Sequence, residues 1–223
     1  MKPLNNGQHT DHNDSNMSDV PPIHDHSNIS LPSDIHDHIK GMFKQLTRNP
    51  EDWLLGALED EKVPLNPDGS LIIYISDSEE IETARNVIDN ARHTIKERLN
   101  SGSEVLNRKN ELATLENLSQ VEIRRLPRDE DGHLDIPLDE HGLLYLPHPY
   151  IVPGVRFNEM YNWDTAFTVR GLIEGGDVAE AKHLADNMLY QVDHYGTILN
   201  GNRSYYMDEK PRSQPPLLTS TVM

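Results

Sequence analysis

Five side chains whose chemistry suits binding of a sugar are crowded into nine residues. An indole stacks on the C–H face of a pyranose, and a carboxylate or guanidinium makes paired hydrogen bonds to vicinal hydroxyls. Asp164 falls in the first turn of a predicted helix, where the helix dipole keeps a carboxylate ionised. In the alternative interpretation, Trp163 is a core residue and Asp164 only matches the helix dipole. The five residues are Arg156, Glu159, Tyr161, Trp163 and Asp164.

A second polar and aromatic cluster follows at residues 198–216. The Asn-Gly-Asn sequence at residues 200–202 is typical of an exposed turn with positive backbone φ. In the alternative interpretation, this segment has no binding role and is a polar loop that precedes a helix beginning at Pro215-Pro216. Donors and stacking rings are supplied here by Asn200, Arg203, Tyr205, Tyr206, Arg212 and Gln214.

An αα-hairpin is predicted between the two clusters. Apolar residues at helical spacing predict one helix that Asn162 caps and Gly175-Gly176 ends. Asp177 with Glu180 has capping-box spacing and opens a second helix, which closes at residues 194–196. Stacking of such hairpins would place both clusters on the same rim.

These residues carry a resemblance to a known family. Residues 146–157, LPHPYIVPGVRF, followed by Trp163-Asp164, resemble the signature of the trehalases, glycoside hydrolase family 37. NGNRSYY at 200–206 and RSQPP at 212–216 match the same family in order and approximate spacing. The resemblance covers residues 142–216. Residues 38–48 bear a weaker resemblance to the helix that precedes the family signature. If that holds, we expect residues 51–141 to be an insertion or a lineage-specific extension.

The resemblance implies an (α/α)6 barrel that hydrolyses α,α-trehalose to two glucose molecules with inversion. Two departures concern the binding loops: Val155 stands where the family has glycine, and three extra residues separate Tyr206 from Arg212. Trehalose is the implied partner, and no cofactor or metal is implied. By position, the implied substrate-binding residues are Arg156, Trp163, Asp164, Asn200, Arg212, Ser213 and Gln214.

The resemblance places both catalytic carboxyl groups beyond Met223. An inverting glycosidase needs an acid and a base about 6.5–9.5 Å apart. No catalytic residue is therefore assigned, and Glu159 is assigned to packing or capping. The chain also stops soon after the Pro-Pro helix start without a helix cap. We expect it to be the N-terminal part of a trehalase, inactive by itself.

Composition excludes several classes of function. The chain has 223 residues, 37 acidic and 20 basic side chains, and a formal charge of −17, which makes nucleic acid and anionic membranes poor partners. It has no cysteine, which excludes disulfides and thiolate metal sites. No apolar run approaches the ~20 residues of a membrane span, and the N-terminus does not resemble a signal peptide. We expect a cytoplasmic protein, with its oligomeric state open.

Three regions are predicted, with an all-α fold as the class. Residues 1–33 are expected to be a disordered acidic tail rich in histidine. The tetrapeptide Ile-His-Asp-His occurs once in the tail, at 23–26, and once just after it, at 35–38, which leaves divalent-metal binding as an alternative. Residues 34–141 are expected to be mostly helical with one short strand and an acidic loop. Residues 142–223 are expected to hold only the first helices of the barrel.

Periodicity defines the elements of the middle region. It predicts helices over residues 35–46, 81–100 and 105–118, a short apolar stripe at 53–58, and one strand at 71–75. The acidic segment at residues 127–141 is expected to be a solvated loop. A Ca²⁺ site is the alternative there, but its alternating ligand pattern with a closing Glu is absent.

Two further functional alternatives stay open on the sequence alone. One is another α-glucoside hydrolase on the same barrel. The other is a protein without catalytic activity that binds a sugar or, through its histidines, a metal ion.

Overall fold

The computed structural model describes residues 33–60, 65–76, 81–101, 116–135, 138–207, 215 and 217–222. The predicted tail lies outside these residues except for Ser33, which begins the first helix. Most of the helix predicted at 105–118 also lies outside them, although residues 116–119 form a helical turn.

The described residues form both helices and short strands. Within this part of the chain, no helix combines the length and the apolar character that a bilayer span requires. In chain order the elements are α1 (Ser33–Leu46), β1 (Thr47–Arg48), α2 (Pro50–Leu58), β2 (Leu71–Ile75), α3 (Ile81–Asn100), β3 (Val121–Arg125), β4 (Gly142–Leu144), β5 (Tyr150–Ile151), α4 (Asn162–Glu174), α5 (Val178–Tyr195), a 3-10 turn (Ser204–Met207) and α6 (Leu218–Val222).

Strands β3, β2 and β4 form a parallel sheet in that order. In its register, Ile73 of β2 lies opposite Ile123 of β3 and Leu143 of β4. All five residues of β2 are buried, as is usual for a parallel strand covered on both faces. Strands β1 and β5 make a separate antiparallel pair, with Thr47 opposite Ile151.

The two faces of β2 contribute to two different core clusters. Ile73 and its neighbours at alternate positions, Leu71 and Ile75, join a large cluster that includes the buried stripe of α3. Ile72 and Tyr74 point to the opposite face, as the two-residue period of a strand requires. They join a second cluster with Tyr195, Tyr206 and other residues, so this face of the sheet packs against the described part of the second polar cluster.

The expectation of one short strand in residues 34–141 is corrected, because the described part of this region contains β1, β2 and β3. The predicted strand β2 is confirmed, but β3 and β4 pair with it on either side. β4 is three residues long, too short for a periodic signal, and it approaches β2 so closely that a Cβ on Gly142 would collide with the carbonyl oxygen of Ile72. The boundary predicted between residues 141 and 142 stays a prediction, although the sheet contains strands from both sides of it.

The predicted αα-hairpin is confirmed in α4 and α5. Gly176, with a φ of 78°, makes the turn between them, and Gly196, with a φ of 75°, ends α5. The capping details differ from the prediction. Asn162 is a buried residue inside α4, and Asp177 makes no side-chain cap bond but pairs with Lys40 of α1 at 3.3 Å.

We predict that Gly142→Ala destabilises the fold, because the new methyl group meets the backbone of β2. The free energy of unfolding should fall by about 1–3 kcal/mol, the usual cost of overpacking. Gly41→Ala is the control: Gly41 lies in α1 with nothing near its Cβ position. For Gly41→Ala we expect the free energy of unfolding to stay unchanged or to rise by about 0.5–1 kcal/mol. Thermal melts followed by circular dichroism measure both, and equal melting temperatures would contradict the close approach.

Candidate functional site

Two loops, residues 153–164 (the first loop) and 198–207 (the second loop), meet at the start of α4. Tyr161 and Gly201 form an antiparallel bridge between them. The buried amide of Asn162 donates a hydrogen bond to the carbonyl oxygen of Leu199 and exchanges bonds with Gln191 of α5 at 3.1 and 3.2 Å. The structure therefore brings the described part of the second polar cluster next to the first cluster.

A buried ion pair joins the same two loops in the interior. The Arg203 Nε donates to Glu159 Oε1 at 2.6 Å, and its Nη2 lies 3.4 Å from Asp60 Oδ2. The side chains of Arg203 and Glu159 are only 2% and 5% exposed. The expectation that Arg203 offers donors to a ligand is wrong for this reason. Glu159, which was assigned to packing or capping, is an ion-pair partner.

The second loop extends the edge of the parallel sheet. The Asn202 side chain accepts a hydrogen bond from the Met160 backbone N–H at 2.8 Å and donates to the Leu144 carbonyl at 3.2 Å. The Ser204 hydroxyl accepts from the Gly142 N–H at 2.8 Å. The turn predicted at 200–202 as exposed with positive φ is thus corrected: Gly201 and Asn202 are buried, and neither has a positive φ.

The first loop rests on residues around α2. The Arg48 guanidinium donates to the carbonyls of Val155 and Phe157 at 3.3 Å each. The Asn158 side chain donates to the Gly56 carbonyl at 2.9 Å. The same region also supports the second loop, because Asp60, just beyond the end of α2, pairs with Arg203. No sequence signal pointed to these supports, because their partners are about 100 or more residues away along the chain.

Trp163 is an exposed residue, which argues against the interpretation as core. Its side chain is 42% exposed and makes an edge contact with Phe167, itself 59% exposed, at 5.9 Å between ring centroids. Asp164 is half-buried in the first turn of α4. An aromatic face and a carboxylate are therefore both accessible at this end of the helix.

Arg156 and Asn200 are the other implied binding residues that the structure describes. Arg156 is exposed, and its guanidinium lies 4.9 Å from the centroid of the Phe157 ring. Asn200 is half-buried in the second loop. The last three implied residues, Arg212, Ser213 and Gln214, lie outside the described residues.

Tyrosine hydroxyls belong to the same junction. Burial raises the pKa of Tyr161 well above its usual value, and the nearby Glu159 carboxylate raises it further. Burial also raises the pKa of Tyr205, together with hydrogen bonding to Tyr206. Both hydroxyls therefore stay protonated across the neutral range and can donate hydrogen bonds.

The acidic loop brings three possible metal ligands together. Asp129, Asp131 and His133 offer ligand atoms within 4.8 Å of one another, and all three are exposed. Exposed carboxylates often lie this close without an ion, so we assign no metal role to them.

Comparison with known proteins identifies the family. The family model described as Trehalase matches residues 69–223, more than half of the chain. The chain belongs to the trehalase family. This match includes residues 69–141, so the expectation that residues 51–141 are an insertion or a lineage-specific extension is wrong for most of that range.

Several trehalases resemble parts of the chain. The periplasmic trehalase of Xanthomonas campestris is 51% identical over 80 residues, which are 36% of this chain and 14% of the relative. The cytosolic neutral trehalase of Kluyveromyces lactis is 36% identical over 121 residues, covering 47% of this chain and 16% of the relative. The chain thus spans about a seventh of the length of these curated relatives.

A solved trehalase has the same fold over most of the chain. The neutral trehalase Nth1 from Saccharomyces cerevisiae superposes with a TM-score of 0.57 at 24% identity, covering 86% of this chain and 34% of that one. The sheet and the hairpin described above therefore belong to a fold found in the trehalase family.

We predict that Asn202→Ala destabilises the junction, because it leaves the buried N–H of Met160 and carbonyl of Leu144 without partners. The expected loss is about 1–3 kcal/mol of unfolding free energy, measured by urea denaturation. Asn90→Ala on the exposed face of α3 is the matched control and should be close to neutral. Equal midpoints for the two variants would mean that the Asn202 bonds contribute little.

Proposed function

We propose that this chain supplies a sugar-binding part of an enzyme that hydrolyses α,α-trehalose to two glucose molecules with inversion. The observation that carries the proposal is the exposed Trp163 beside Asp164, on the same rim as the second loop. Membership of the trehalase family supports the proposed substrate, as do the printed names of the relatives.

The proposed contacts follow from the chemistry of each side chain. The exposed indole face of Trp163 stacks on the apolar face of a glucose ring. Asp164 accepts hydrogen bonds from vicinal hydroxyls, and the dipole of α4 favours its ionised form. Arg156 and Asn200 donate from the two loops. Arg212, Ser213 and Gln214 stay in the proposed site on the strength of the resemblance.

The proposed inverting reaction needs a catalytic pair that the two loops do not provide. Glu159 and Asp164 are the only residues with a carboxylate side chain in the two loops, residues 153–164 and 198–207. Glu159 is buried and bonded to Arg203, so it is not offered to a substrate. A single accessible carboxylate cannot serve as both acid and base across a water-sized gap. We propose that the pair comes from outside these loops, beyond Met223 as the resemblance implies.

The finer architecture is also a proposal. We propose that α4 and α5 are an early hairpin of an (α/α)6 barrel and that residues 142–223 begin the barrel domain. The hairpin is the repeating unit of such a barrel, and the similarity to a solved trehalase supports this assignment.

The compartment stays a proposal as well. We propose the cytoplasm, which the cytosolic relative from Kluyveromyces lactis supports, whereas the periplasmic relatives favour export. Cell fractionation with an antibody to this chain would decide between the two.

We predict that Asp164→Asn in the full natural protein raises the KM for trehalose by about tenfold or more, or abolishes activity. The reason is the loss of hydrogen bonds to a charged acceptor, worth about 1.5–3 kcal/mol. Glucose release measures the effect. Asp193→Asn on the exposed face of α5 is the matched control and should leave the kinetics unchanged. If Asp164→Asn had the kinetics of the wild type, the assignment of Asp164 to the sugar-binding site would be wrong.

Substrate specificity has its own test. We expect glucose release from trehalose to exceed that from maltose and kojibiose, measured at equal concentrations. A preference for maltose or kojibiose would instead support another α-glucoside hydrolase. Calorimetric binding of trehalose without any glucose release would support a sugar-binding protein without catalytic activity.

A further inference from the structure

We propose that Arg203 is a positioning residue for sugar binding, because it fixes the separation of the two loops that carry the binding side chains. This inference rests on the proposed function. The Arg203 side chain is only 2% exposed, so it does not contact a sugar itself. It acts through its partners, Glu159 and Asp60.

The ion pair lies a short distance along the chain from the proposed sugar contacts. Glu159 is four residues before Trp163 and five before Asp164 in the first loop. Arg203 is three residues after Asn200 in the second loop. A displacement of Glu159 or Arg203 is therefore expected to move a proposed sugar-binding residue that lies only three to five positions away in the same loop.

The backbone around Arg203 leaves little room for adjustment. Its N–H donates to the Gly201 carbonyl at 2.9 Å, and its carbonyl accepts from the Tyr206 N–H at 3.1 Å. It also forms an isolated bridge with Leu143 of β4. The guanidinium thus connects a backbone that is bonded to the sheet with Glu159 of the first loop.

The shape of the guanidinium matters as much as its charge. Its Nε and Nη2 engage two carboxylates from different segments, Glu159 at 2.6 Å and Asp60 at 3.4 Å. A lysine ammonium is a point charge and lacks this planar fork. Lysine at position 203 therefore keeps the charge but loses the geometry that holds both partners.

The test is steady-state hydrolysis of trehalose by the full natural protein with Arg203→Lys or Glu159→Gln. We expect either variant to raise the KM for trehalose by about tenfold or more, since small misplacements of binding groups have effects of this order. A purely structural role would act differently. It would lower the fraction of folded enzyme and the apparent kcat, while the KM of the surviving molecules stayed at the wild-type value.

Arg98→Lys is the matched control. Arg98 also holds two carboxylates, Glu51 at 3.1 Å and Asp52 at 3.4 Å, but it lies between α3 and α2, outside both loops. We expect its KM to stay within about twofold of wild type. A KM increase in Arg98→Lys equal to that in Arg203→Lys would overturn the specific role of Arg203.

The double variant Glu159→Gln, Arg203→Lys tests whether the two residues act as one unit. We expect its KM to lie within about twofold of the worse single variant, because each single change already breaks the same contact. If the KM increase of the double variant equalled the product of the two single increases, the proposed coupling between Glu159 and Arg203 would be overturned. If Arg203→Lys does not fold, Glu159→Gln and Asp60→Asn carry the test: a raised KM in either supports the inference, and wild-type KM in both overturns it.

Failure of this inference is distinguishable from failure of the proposed function. A wild-type protein that neither binds nor hydrolyses trehalose refutes the function and the inference together. Hydrolysis by the wild type, impaired by Asp164→Asn but with an unchanged KM in the Arg203 and Glu159 variants, refutes the positioning role alone.

Discussion

A guanidinium removed from water must be matched by carboxylates, and this requirement sets the arrangement of the site. Arg203 draws Glu159 from the first loop and Asp60 from the end of α2 into contact. Removing one partner of such a buried pair typically costs about 3–5 kcal/mol, because the other charge is left uncompensated. Three segments that are far apart in the chain are thereby held in one place.

The parallel sheet gives this junction a rigid support. β2 is buried on both faces, and the second loop continues the sheet beyond β4 through the bonds of Asn202 and Ser204. The backbone of the second loop is therefore bonded to the edge of the sheet at Asn202 and Ser204. Its neighbour, the first loop, is held from the other side by Arg48 and Asn158. Among the described residues, the exposed ring of Trp163 lies next to the half-buried Asp164 at the start of α4, and Arg156 of the first loop is exposed as well.

Much of the fold was visible in the sequence wherever the signal was periodic. The apolar stripe of α3, the uninterrupted apolar run of β2 and the glycine turn of the αα-hairpin were all predicted and are confirmed. Strands β3 and β4 were missed because they are short and are defined by pairing with residues 50 or more positions away. Asn162 was taken for a cap, yet its amide bonds within the core.

The sequence by itself predicted the candidate binding residues, Trp163 and Asp164 in the first loop and Asn200 in the second loop, and it determined the αα-hairpin between the two loops. Only the tertiary structure decided which polar side chains are accessible. Arg156 is exposed, while Arg203, the same type of side chain, is buried against Glu159. The physical reason is that burial of a charge depends on partners from distant segments, and the spacing of residues along one segment carries no information about them.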